Sequence, residues 1–179
     1  MSSYPKTFSL KDSNEIFVRE MQPDDLEKSF NFFQKLPQED KLFLRVDVAK
    51  KEVVERRMKQ EGCDREVCYR LVAEKGDEIV GDATLCIPAH GWSVHTAVIR
   101  FVVARDFRNQ GLASILVREL FVAAVKRGIE KIEVEVIEDN LAGLKSVQKL
   151  GFRQEGVLRE FVKDVRGRNH NLVTMSYFV

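Results

Sequence analysis

From Ala97 to Ile137 the chain runs from an apolar segment, through a short polar connection, into an amphipathic helix and out into an alternating strand. Residues 97–104 read as a buried strand, and the connection ends in Gly111. Leu112, Ile115, Leu116, Leu120 and Ala123 then recur at helical spacing. Lys126, Arg127 and Gly128 close that helix with basic charge at its negative end and a glycine cap. In residues 131–137, Ile132, Val134 and Val136 fall on one face and Glu133 and Glu135 on the other. Strand, helix and strand in this succession predict a right-handed parallel crossover, which commits the chain to an α/β architecture.

The remaining pattern builds outward from that unit. Residues 1–14 are polar and read as a flexible N-terminal tail, leaving 15–179 as a single domain. Residues 16–19 make a first strand, and Pro23, Asp24 and Asp25 open a helix carrying Leu26, Phe30 and Phe33 on one side. It stops before Pro37. Gln38, Glu39 and Asp40 repeat the start signal, and helical patterning resumes with Leu42 and Leu44, then Val53, Val54 and Met58. Residues 69–73 and 79–87 flank Lys75-Gly76-Asp77 as a hairpin. A helix over 141–150 and strands near 152–161 and 172–178, joined around Arg166-Gly167-Arg168-Asn169, complete the chain. The expected result is a mixed central sheet of about six to seven strands flanked by about four helices. No internal repeat interrupts it.

Composition removes several functions. The 29 basic and 28 acidic residues leave a net charge of +1, which provides no broad field for nucleic acid or an acidic membrane. The chain has no apolar run of membrane-spanning length, and its first residues lack the apolar stretch of a signal peptide. Cys63, Cys68 and Cys86 are odd in number and without C-x-x-C spacing, so they read as reduced thiols of a cytoplasmic protein. His90, His95 and His170 are scattered, and no metal site is expected.

The connection Arg108-Asn109-Gln110-Gly111-Leu112-Ala113 carries the chemistry. Free backbone N–H groups and a partial positive charge at a helix start attract phosphate. Gly111 and Ala113 leave those amides uncovered, and Arg108 adds a forked cation. A tight strand-to-helix turn also favours small residues, so these positions alone leave both readings open. The loop ends without the Lys-Ser/Thr of a Walker A loop and lacks the three glycines of a dinucleotide-binding turn.

Taken with its surroundings, this loop resembles that of the GNAT superfamily of acetyl-CoA-dependent N-acetyltransferases. The family pattern of Arg or Gln, two residues, Gly, one residue, Gly or Ala is met by Arg108, Gly111 and Ala113. Val102 to Phe107 match the strand and turn leading in. Asn140 follows the next strand, and Lys149-Leu150-Gly151-Phe152 ends the next helix, as in the family. Arg159 and Val173-Thr174-Met175 fit its last two strands. Residues 18–25, 36–40 and 44–45 are loosely similar to the GNAT domain of Pat-type protein-lysine acetyltransferases.

The resemblance implies acetyl-CoA as co-substrate and splayed parallel strands that form its cleft. Backbone groups of Phe101, Val102 and Val103 would line the pantetheine arm, the amides of Gln110, Gly111, Leu112, Ala113 and Ser114 with Asn109 and Arg108 would hold the pyrophosphate, and Asn140 would bond from the neighbouring strand end. Asn at such a junction also serves as a helix N-cap. The acceptor would be an amine of a small molecule, a protein lysine or a protein N-terminus. The sequence departs from the pattern at Val98 and Val147, where many members carry a basic glutamate and an acidic tyrosine. Proton removal would then fall to Glu135, Glu133 or His95. Arg100 either pairs with one of those glutamates across the sheet or anchors an anionic group of the acceptor. An acyl-CoA-binding module without turnover, a sensor or interaction domain, is the alternative. The exposed terminal strand would suit pairing with a second copy.

Overall fold

The computed structural model describes residues 4–59 and 66–179, within which eight strands form one sheet. They are β1 (Lys6–Ser9), β2 (Glu15–Glu20), β3 (Glu66–Lys75), β4 (Glu78–Pro88), β5 (Thr96–Val103), β6 (Lys131–Ile137), β7 (Arg153–Lys163) and β8 (Asn169–Phe178), in the spatial order 1-2-3-4-5-6-8-7. All described pairings are antiparallel except β5 with β6. The helices are α1 (Leu26–Lys35), α2 (Gln38–Lys41), α3 (Lys51–Lys59), α4 (Leu112–Val125) and α5 (Leu141–Lys149). None of the described helices is long and apolar enough to cross a membrane.

The period-2 alternation of the strands sorts two cores onto the two faces of the sheet. On one face Leu71, Ala73, Ile99, Ile132 and Val134 pack with Leu112, Leu116 and Leu120 of α4 and Val147 of α5. On the other, Val72 and Ile79 pack with Phe32 and Phe33 of α1, with Leu36 just after it and with Val54 of α3. Each of the three α4 leucines is fully buried, worth about 1.5–3 kcal/mol apiece relative to exposure. Gly151 ends α5 with a φ of +94°, which turns Phe152 under the sheet against Phe121 and Tyr177.

Four expectations are corrected. The N-terminal segment read as a tail forms β1, which adds an eighth strand, and Leu10 after it is buried, because its apolar positions alternate against β2. The helical pattern after Pro37 does not run on: α2 spans four residues, and an irregular connector over 42–50 precedes α3. The terminal strand β8 is zipped between β6 and β7, so it offers no free edge to a second copy; the edges are β1 and β7. Finally, Cys68 and Cys86 are not separate thiols but a disulfide. The alternation of ladder bonds makes them a non-hydrogen-bonded cross-strand pair, the closely spaced kind, with Cα atoms 4.2 Å apart. The thiol argument for a reducing compartment falls with that pairing. Cys63 lies outside the described residues.

Candidate active site

The parallel pair β5–β6 is joined only at Thr96↔Lys131, Ala97↔Ile132 and Val98↔Glu133. Beyond Val98 each strand stays zipped to its outer neighbour, β5 to β4 as far as Gly81↔Val103 and β6 to β8 as far as Ile137↔Leu172. The inner edges therefore diverge into a wedge with its vertex at Val98 and Glu133. The Ala104 amide bonds the Val80 carbonyl of β4 at 2.9 Å. Backbone groups alternate sides along a strand, so those of Phe101 and Val103 turn into the wedge while those of Val102 turn to β4. Val102 instead packs its side chain against the core under α1 and α3. Val103 already uses its carbonyl, which accepts from Arg108 Nε at 3.1 Å.

At the open end of the wedge, the chain turns through Asn109 (φ 62°) and Gly111 (φ 97°) into α4. Side chains other than glycine rarely adopt the second of these conformations. No side chain caps the helix start. A Cβ on Gly111 would meet no protein atom within 4 Å, so the glycine leaves space over the first amides of Leu112, Ala113 and Ser114. Uncapped donors beneath an uncovered turn fit a pyrophosphate. Gln110 braces the turn, donating to the Asp106 carbonyl at 2.8 Å and accepting from the Lys11 amide at 3.1 Å. Arg108 is engaged with Asp40 of α2 at 2.5 Å as well as with Val103. Asn140 caps α5, its Oδ1 accepting from the Gly143 amide at 2.9 Å, which is the helix-cap role open to it from sequence.

Glu133 and Glu135 share the face of β6 that looks toward α1 and α3, since Ile132, Val134 and Val136 occupy the other. Glu133 stands beside Val98 across the strand pair, so a carboxylate one strand over lies level with the position where many members have theirs. Its partner is Lys131 at 3.3 Å. Glu135 lies one pleat farther into the wedge and pairs with Arg45 at 2.8 Å. Arg100 donates to Cys86 Sγ at 3.1 Å, so the ion pairs of both glutamates go to other cations and the expected Arg100 bridge is not made. His95 is exposed at the zipped end of β5, where its carbonyl takes the amides of Glu130 and Lys131. Six residue steps along the strand carry the chain from it to Phe101, about 20 Å. Val147 is buried in the core between the sheet and α4 and offers no titratable group. In the sequence Asp40 reads as part of a helix start, and both Asp40 and Arg45 fall within the loose Pat-type likeness, but nothing there gives either a place in the site.

A mixed sheet split at one parallel pair, with an uncapped helix start beside the split, defines an α/β fold of the split-strand class. The model of the acetyltransferase (GNAT) family matches residues 30–152, and the chain belongs to that family. It is 29% identical over 99 residues to the L-amino acid N-acetyltransferase AaaT of Escherichia coli (strain K12); the match spans 55% of this chain and 61% of that protein's length. In fold it is similar to the GNAT domain of S. lividans PAT, with a TM-score of 0.77 at 21% identity, covering 98% of this chain and 97% of that one. It is similar also to the ribosomal-protein-alanine N-acetyltransferase from Brucella melitensis, with a TM-score of 0.73 at 20% identity, covering 90% and 99%.

Proposed function

We propose that the protein transfers an acetyl group from acetyl-CoA to a primary amine of a small molecule or protein. The observation that carries this reading is the wedge between β5 and β6, with the uncapped start of α4 at its open end. Acetyl-CoA supplies the activated acetyl: its C–S bond breaks as the new C–N bond forms, the amine gives up one proton, and the departing thiolate takes one. The amides of Leu112, Ala113 and Ser114 hold the pyrophosphate, and the backbone of Phe101 and Val103 orients the arm along β5. An amine of ordinary pKa, about 10.4, is neutral in roughly one molecule in a few thousand at pH 7. Positioning and proton removal therefore govern the rate, the second contributing about 10²–10⁴-fold. Glu135, directly or through a held water, accepts the proton. Glu133 at the vertex is the second carboxylate in reach, and His95 stands too far along β5 to compete.

The apolar Val98 and Val147 favour one other reading, a module that binds acyl-CoA without turnover. Release of free CoA thiol from acetyl-CoA, followed across a panel of amines, separates the two. Turnover is expected, with Glu135→Gln losing about 10²-fold in kcat/KM near neutrality and His95→Gln close to wild type. Binding of CoA without thiol release for any amine would establish the module instead.

A further inference from the structure

The connector over residues 42–50 reaches the Glu133 and Glu135 face of β6 through Arg45. Leu44 and Val48 pack it onto the core beneath α1 and α3. Gln34 donates to its Val48 and Ala49 carbonyls, each at 3.3 Å, and Asp40 just before it is tied to Arg108 on the cofactor side. Between these anchors Arg45 is exposed and reaches β6, 90 positions away, where Nη1 meets Glu135 Oε2 at 2.8 Å. A guanidinium carries five N–H donors, and this contact uses one of them.

An exposed ion pair of this kind contributes about 0–1 kcal/mol to folding, so stability does not explain its place. Its chemistry does. A cation and a carboxylate, side by side one pleat beyond the vertex of the wedge, are the complement of a molecule with a carboxylate next to its amine. The acceptor's carboxylate fits the forked donors of Arg45, and its ammonium fits the carboxylate that Arg45 then releases. Resting on the acetyl-transfer reading above, we propose that Arg45 is the acceptor's carboxylate anchor, that the acceptor is a free α-amino acid, and that its binding unmasks Glu135 as the base. A protein N-terminus carries an amide, and a lysine side chain only methylenes, where this site calls for a carboxylate, and both are disfavoured.

The test pairs acids with their amides. CoA-saturated protein is titrated calorimetrically with the free L-amino acids and with the corresponding L-amino acid amides, and thiol release from acetyl-CoA is measured for the same set. At least one amino acid should bind about 10- to 100-fold more tightly than its amide, the range of a charge-assisted hydrogen bond. Arg45→Gln should abolish that preference while leaving the amide's affinity and the CoA affinity unchanged, and Arg45→Lys should restore part of it. Acids and amides that bind alike, an absence of amino acid binding, or an Arg45→Gln variant that weakens both equally would each overturn the anchor. Preferential acid binding without thiol release would overturn the acetyl-transfer reading while leaving the anchor standing.

Discussion

Arg57 and Asp82 show what a single pair of side chains commits the molecule to. The Arg57 guanidinium donates to Asp82 at 2.5 and 3.0 Å, reaches Thr84, and lies 5.1 Å from the Phe33 ring centroid. Burial works against its charge, but the adjacent Asp82 carboxylate more than offsets this and holds its pKa above the ordinary guanidinium value. Asp82→Asn leaves a largely buried cation without its countercharge and should destabilise the protein by about 3–5 kcal/mol in urea unfolding. Replacing both residues with leucine-sized apolar side chains should recover most of that loss. Little or no effect of the single change would show that water reaches the guanidinium. Neither residue carries a sequence signal for this role: Asp82 sits in an apolar strand, and Arg57 is one of three basic residues in the last turn of α3.

Among the elements, His170 joins the β7–β8 turn to the end of β6, beside Asn171, whose carbonyl accepts the Glu138 amide at 3.0 Å and whose side chain donates to the Glu138 carboxylate at 2.7 Å. His170 Nδ1 meets Asp139 at 2.5 Å and Nε2 meets Asp164 at 3.1 Å, while Asp164 also accepts the backbone amides of Arg166 and Arg168. Hydrogen bonds to Asp139 first, and then to Asp164, raise the imidazole pKa above its ordinary value near 6.5. A folded-state pKa above the unfolded one gives stability that is fully present below about pH 6.5 and lost as pH rises through the raised value. The difference in melting temperature between wild type and His170→Gln should thus be largest below pH 6 and shrink toward alkaline pH. A difference independent of pH from 5 to 9 would mean that the ring serves as a neutral spacer. Asp139 adjoins Asn140, so this join also steadies the cap of α5 beside the wedge.

For the whole molecule, cofactor binding and folding are linked. CoA at a hundred times its Kd should stabilise the protein by about 2.7 kcal/mol and raise the melting temperature by roughly 5–11 °C. Gly111→Val would cover the α4 amides and remove this shift, although the φ of 97° makes that variant less stable even without ligand. Asp40→Asn is the cleaner probe. In the resting structure Asp40 holds the guanidinium that the phosphates would draw on. Its neutralisation should tighten CoA binding about two- to fivefold in calorimetry, the scale of a partly exposed ion pair. Unchanged or weaker binding would show that the Asp40 contact supports the site rather than competing with it.

The sequence by itself determined the central unit of strand, glycine turn, helix and alternating strand, the placement of Glu133 and Glu135 on one face, and the loop and Gly-Phe turn that mark the family. These are local: they follow from side-chain periodicity and from backbone conformations that few residues tolerate. Tertiary structure alone decided that β1 joins the sheet, that Cys68 and Cys86 face each other, that Arg100 turns to sulfur, and that Asp40 reaches Arg108 and Arg45 reaches Glu135. Each of these depends on register between strands, or on where an irregular connector is anchored. Contacts between positions up to 90 residues apart leave no periodic trace along the chain.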